Sequence, residues 1–256
     1  MPIFIAPVIL WGLGRLYWAL AFNSRKIVAQ NLRLLGTQKN STFGVFHHFG
    51  LFLYEFFSLK KPIIYEEEKL LQQLNQSFGG PGEKGGLLLL PHLGNWELAL
   101  RWILDQGYQV DTIAHQHSSP EIDEIFHNLR AHPHLKVHPL EQGGRACLKA
   151  IKQKRIVALA CERDYTGQGE KITFEDFSTH FPSGPTWLMR AKNCETKLIE
   201  CKRLSLLKFE IQIHPFNLEG DPQDGTRQLA QAIYKLIRKH PLQWITFDPI
   251  LKPISP

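Results

Sequence analysis

Apolar positions change their period part-way along the chain. Up to about residue 59 they recur at helical spacing, and residues 7–59 read as helical with a break near residues 36–40, which begins at Gly36 and ends at Asn40. The stretch FGVFHHFGLFLYEFFSL, residues 43–59, carries so many aromatics that it belongs against a core, a lipid or an acyl chain. From Gly85 onward short apolar runs alternate with amphipathic segments. Runs at 87–90, 109–114, 136–138, 156–160, 197–202 and 208–214 predict strands, and segments at 95–106, 120–132, 144–154, 184–193 and 226–240 predict helices. The alternation predicts an α/β fold with a mainly parallel central sheet flanked by helices, preceded by an N-terminal helical arm. No repeat, low-complexity tract or linker divides the sequence. Residues 1–256 therefore read as one domain, with the arm at 1–59 and the α/β core at 60–256.

The stretch LLLLPHLGNWELAL, residues 87–100, is where this pattern meets chemistry. Four leucines make a buried strand, Pro91 ends its hydrogen bonding, and His92 falls at the carboxyl edge, where open α/β sheets gather their ligands. Gly94 permits a tight turn, Asn95 is a good N-cap, and Trp96 and Glu97 begin the next helix. On one continuous helix, residues five apart point away from each other. Because His92 precedes the cap, the turn can fold it back over the helix start, so that Glu97 accepts a hydrogen bond from one imidazole nitrogen and leaves the other as a base. The plainer alternative stays open beside this one: Glu97 suits the positive end of a helix and His92 merely ends a strand.

At HLGNWELA the chain resembles the lipid A biosynthesis acyltransferases, whose signature is a His-x4-Asp/Glu motif written within HxGNWE. Further blocks follow in order: RKIVAQNLRLLG resembles the basic helix ahead of the core, ERDYTGQGEKITFEDFSTHFPSGPTWLMRAKNC the second block, and IRKHPLQWITF the closing Pro-x-Gln-Trp element. The resemblance runs from about residue 15 to residue 247. It implies transfer of a fatty acyl group from acyl carrier protein or coenzyme A, as co-substrate, to a hydroxyl of a membrane glycolipid or lipid A precursor. His92 would take the proton, Glu97 would orient the imidazole, and no covalent acyl-enzyme would form. Carried over by position, Gly94, Asn95 and Trp96 belong to the motif, Arg163 and Asp164 to a strand end, and Ser183, Gly184 and Pro185 to a helix start. Backbone N–H groups of Gly94 and Asn95, or Arg163, are the expected donors to the oxyanion, and Arg163 would either bind an acceptor phosphate or pair with Asp164. The chain departs from the family pattern at His115-Gln116-His117 and at Asp248, which keeps phosphatidylinositol mannosides, aminolipids and glycerolipids open as acceptors.

Charge and cysteine usage add bounds. The net charge of +6 suits an anionic membrane surface or an acidic carrier protein, and Arg25, Lys26, Arg33, Lys149, Lys152, Lys154 and Arg155 are the candidate contacts. No nucleic-acid module accompanies it. Four cysteines without a CxxC pair suggest reduced thiols. Residues 3–22 are largely apolar but contain Pro7, Gly12, Gly14 and Arg15, with Arg25 and Lys26 following rather than preceding. That order argues against a secretory signal and for a helix lying in the membrane interface or packed on its own domain. The expected location is the cytoplasmic face of the bacterial inner membrane, peripheral or monotopic. Two other classes compete: a metal enzyme built on His115, His117, His132, His134 and His138, and a non-catalytic membrane-binding module. The spacing of those histidines fits no standard metal signature, so no metal and no cofactor beyond the acyl donor are expected.

Overall fold

A computed structural model describes residues 6–37, 42–58, 60–115, 119–192, 194–221 and 224–254. In chain order it holds α1 (Ala6–Leu20), α2 (Phe22–Leu34), α3 (Thr42–Ser58), β1 (Ile63–Ile64), α4 (Glu67–Phe78), β2 (Gly86–Leu90) and α5 (Trp96–Asp105). There follow β3 (Val110–Ala114), α6 (Pro120–Arg130), β4 (Leu135–Pro139), α7 (Gly143–Lys152), β5 (Ile156–Ala160), β6 (Glu170–Thr173) and β7 (Phe177–Phe181). The chain closes with α8 (Gly184–Lys192), β8 (Glu195–Ser205), β9 (Lys208–Pro215), α9 (Gly225–Lys239) and β10 (Lys252–Pro253).

The four leucines of β2 have no polar neighbour to offer water, so the strand can only be central, and it lies between β5 and β8, parallel to both. Successive side chains of a strand point to opposite faces. Leu87 and Leu89 enter a core shared with α7, α8 and α9, while Leu88 and Leu90 enter one shared with α4 and α5. The seven-stranded sheet runs β1-β9-β8-β2-β5-β3-β4, its five central and right-hand strands parallel. At the other edge β8 turns back antiparallel into β9, and β1 pairs parallel with β9. A second sheet, β10-β7-β6, is antiparallel.

The expected parallel α/β core is present, with corrections at its margins. Helix α4 was not anticipated, although Leu70, Leu74 and Phe78 recur at helical spacing and are buried. The first helical stretch divides at Ala21 as well as near residue 37. Among the described residues no helix is long and apolar enough to cross a membrane. Helix α1 lies along α3: the Trp18 indole donates to Thr42 Oγ1 at 2.9 Å, and Tyr17 packs on Phe46 at 5.1 Å between ring centroids. Its other side leaves Leu13, Leu16 and Leu20 exposed, followed by Phe22.

Helices α2 and α3 are stitched to the core by buried polar groups. Asn31 donates from Nδ2 to the Asp248 carbonyl at 2.9 Å. Glu55, fully buried on α3, is held by Arg203 of β8 in a two-pronged pair, with Nη2 to Oε2 at 2.7 Å and Nε to Oε1 at 3.1 Å. Asn95 donates to the same carboxylate at 2.9 Å, and Arg203 also meets His48 Nδ1 at 3.0 Å. Burial, reinforced by the Arg203 charge, pushes the His48 imidazole down to about 3, so it stays neutral and accepts from the guanidinium.

Candidate active site

Register decides which groups meet at the sheet's carboxyl edge. Strands β2 and β5 run parallel with Leu90 opposite Ala160, and the ladder continues one step as Cys161 N donates to the Leu90 carbonyl at 3.0 Å. His92 and Glu162 each stand two residues beyond that pair, at equal offsets on neighbouring strands. They meet: His92 Nδ1 lies 2.6 Å from Glu162 Oε1, with side-chain exposures of 16% and 0%.

Two other side chains hold the carboxylate. The Trp244 indole donates to Glu162 Oε1 at 3.3 Å, and Arg163 Nε lies 3.4 Å from the same oxygen. Burial alone would raise the Glu162 pKa, but the His92 charge and hydrogen bond, with the Arg163 charge, hold it down at about 2. The site therefore keeps a fixed negative charge behind the imidazole. Nδ1 carries the proton that the carboxylate accepts, which leaves Nε2 as the basic nitrogen. The peptide around His92 is clamped too, since its carbonyl accepts from Ile245 N at 2.9 Å and Leu93 pairs with Trp244 in an isolated bridge.

The expected His92–Glu97 hydrogen bond is absent, because His92 pairs with Glu162 and Glu97 with Arg130. Glu97 sits in the first turn of α5 and faces α6, where Arg130 donates from Nε to both carboxylate oxygens at 3.1 Å and from Nη2 to Oε1 at 2.5 Å. The Trp96 indole also donates to Glu97 Oε1 at 3.2 Å. Trp96 is the link back to His92, packing edge-on against its ring at 4.7 Å and stacking on Phe52 at 4.4 Å.

Gly94 and Asn95 build the turn and do not line the cleft. At Gly94 φ is +66°, and a Cβ there would overlap the Cys201 carbonyl oxygen. Its N–H donates to the Gln243 carbonyl at 3.0 Å, so the expected oxyanion donor already has a partner. Asn95 is buried, its Oδ1 capping α5 at Leu98 N and its amide reaching Glu55. The remaining residues surround a cleft of about 720 Å³ over the sheet's carboxyl edge, where His92, Trp96, Arg163, Asp164, Ser183 and Pro185 share its wall with Gly184 and Glu97. Arg163 does not pair with Asp164. It bonds the Ile245 carbonyl, Tyr165 Oη at 3.4 Å and Asp248 Oδ2 at 3.3 Å. Asp164 instead ties down the following turn, accepting from Thr166 N at 2.9 Å and Gly169 N at 2.7 Å. Ser183 opens α8, its carbonyl accepting from Trp187 N at 3.0 Å.

Among the described residues the expected histidines do not gather in one site: His132 and His134 pack on each other at 5.3 Å and His132 reaches Asp105 at 3.5 Å, but His115 stacks on Tyr165 at 5.1 Å and His138 reaches Asp111 at 2.6 Å, while His117 lies outside the described residues. Among the described residues no group of three His, Cys, Asp or Glu side chains is placed to hold a metal ion. Of the basic side chains expected to face an anionic partner, Arg155 is instead buried, paired with Asp111 and bonded to the Val110 and His134 carbonyls. Lys26, Arg33, Lys149, Lys152 and Lys154 are exposed.

Glu162, Trp244, Arg130 and Phe52 are the site residues that the sequence reading did not single out. Glu162 had one signal: two parallel strands, LLLL-Pro-His and ALA-Cys-Glu, that end alike.

Two similar proteins are phosphatidylinositol mannoside acyltransferases. That of Mycobacterium tuberculosis is 27% identical over 195 residues, covering 71% of this chain and 61% of the relative. That of Mycolicibacterium smegmatis is 25% identical over 177 residues, covering 65% of this chain and 56% of the relative. The chain thus spans about three fifths of the length of these relatives. Residues 1–253 match the bacterial lipid A biosynthesis acyltransferases throughout, and the chain belongs to that family.

Proposed function

We propose that the protein transfers a fatty acyl group from a thioester, on acyl carrier protein or coenzyme A, to a hydroxyl of a membrane glycolipid. The observation that carries this reading is the 2.6 Å His92–Glu162 pair at the mouth of an apolar-walled cleft. His92 Nε2 takes the hydroxyl proton as the oxygen attacks the thioester carbonyl. The tetrahedral intermediate collapses, the C–S bond breaks, and the imidazolium returns the proton to the departing thiolate. Glu162 fixes the tautomer and balances the charge on the ring. Glu97 acts at one remove, by holding Trp96 against His92. Direct attack fits the state of the thiol at the site: Cys161 is 1% exposed, and burial pushes its pKa well above the usual thiol value, so it is a poor nucleophile.

The names of the two relatives favour phosphatidylinositol mannoside over a lipid A precursor as the acceptor. The protein works at the cytoplasmic face of the membrane, resting there on the exposed side of α1. Leu13, Leu16 and Leu20 enter the interface while Arg15 stays stacked on Trp11 at 4.9 Å and reaches toward headgroups. Lipid mass spectrometry of a bacterial host expressing the protein or His92→Ala tests the reading. A glycolipid carrying one extra acyl chain is expected with the unaltered protein and not with the variant; identical lipid profiles would overturn it.

A further inference from the structure

Glu97 opens α5 beside the base and yet never touches it, and what it does touch divides two cavities. The main cleft and a second, smaller hollow of about 120 Å³ share Glu97, Leu100 and Arg130 as common wall. Beyond that wall the hollow is lined by the apolar Phe56, Leu98, Leu104, Leu129 and Leu135 together with Lys60, Lys61, Arg101 and Asp105. On the cleft side aromatic rings lead away from His92, with Trp96 at 4.7 Å and Phe52 stacked on it at 4.4 Å, and Phe126 lines the same cleft with its ring 5.3 Å from the Arg130 guanidinium. Phe126 faces the cleft, Phe56 faces the hollow, and the two rings pack at 5.4 Å under the ion pair.

We propose that the Glu97–Arg130 pair is the length stop of the acyl chamber, setting how long a fatty acyl chain can lie between the base and the wall. This rests on the acyl-transfer reading above. Glu97 and Arg130 are only 5% and 20% exposed, and the pair is closed by three N–O contacts of 3.1 Å or less. Opening it for a terminal methyl would leave two partly buried charges unpaired and wet, which costs far more than the burial of another methylene returns. Aromatic and aliphatic side chains stand on both sides of the pair, which is a polar partition between the two cavities.

Isothermal titration with S-alkyl-4′-phosphopantetheine thioethers of increasing alkyl length tests the stop, because that arm is common to both carriers and the thioether cannot react. The unaltered protein should gain affinity with each methylene up to a cut-off and then lose it. In Glu97→Leu/Arg130→Leu, which removes both charges together, the cut-off should move to longer chains, with roughly tenfold tighter binding for an alkyl two methylenes past the original limit. Adding Leu135→Phe, which fills the hollow, should restore the original cut-off. Should the double variant not fold by circular dichroism, Arg130→Lys keeps the charge but loses the fork and should move the limit the same way by less. An unchanged cut-off in folded variants overturns the length stop and leaves the acyl-transfer reading standing. No gain with chain length in the unaltered protein overturns both.

Discussion

Two carboxylates lie near His92, and their surroundings separate their roles. Glu162 is fully buried, bonded to the imidazole and held ionised by it, whereas Glu97 is committed to Arg130 and Trp96. Glu162→Gln should therefore lower kcat at least about a hundredfold, by removing the acceptor that fixes the Nδ1 proton. Glu97→Gln should cost less, because the His92–Glu162 pair survives it; steady-state rates of the two variants side by side check the ranking. His92 was legible in the sequence because Pro91 after a run of leucines marks a strand's carboxyl end. Its partner was not. The pairing depends on β5 lying beside β2 in one register, a fact created by the sheet, whereas the nearer Glu97 satisfied every local expectation and still pointed away.

Among the elements, buried strands were the most legible, since a run such as IVALA admits no solvent face and its bounds fall where apolarity stops. The antiparallel return of β8 into β9 and the small β10-β7-β6 sheet were not legible as topology, because alternating, half-exposed strands look alike whichever way they run. Helix α1 is an apolar element with one partnered and one unpartnered side. It grips α3 through Trp18 and Tyr17 and leaves a leucine face uncovered. Replacing Leu13 and Leu16 with glutamate puts charge only on the uncovered face. Cosedimentation with vesicles of anionic phospholipid should fall by about tenfold or more, with the thermal midpoint little changed; undiminished sedimentation would show that the protein meets membranes elsewhere.

For the whole molecule, the site's electrostatics and the fold's stability are the same quantity seen twice. Glu162 has its pKa lowered from 4.5 to about 2, so it binds protons less readily folded than unfolded. Its contribution to stability is full above about pH 4.5 and is lost as the pH falls toward 2. Glu200, held down to about 2 with the help of His214, Lys239 and His240, titrates over the same window. The difference between the unaltered protein and Glu162→Gln isolates the site: between about pH 5 and about pH 3 the thermal midpoint should drop further in the unaltered protein than in the variant.

The clamp at residues 243–245 has a consequence for how the protein comes into being. The His92 carbonyl, the Gly94 N–H and the Glu162 carboxylate all find their partners in Gln243, Trp244 and Ile245. A ribosome delivers His92 and Glu162 before it delivers the three residues that fasten them, and helix α1 before all of these. The turn that carries His92 can become rigid only after Ile245 has been made, because the His92 carbonyl has its partner there. Fastening of the turn is thus a late event, in the order that the chain's own connectivity imposes.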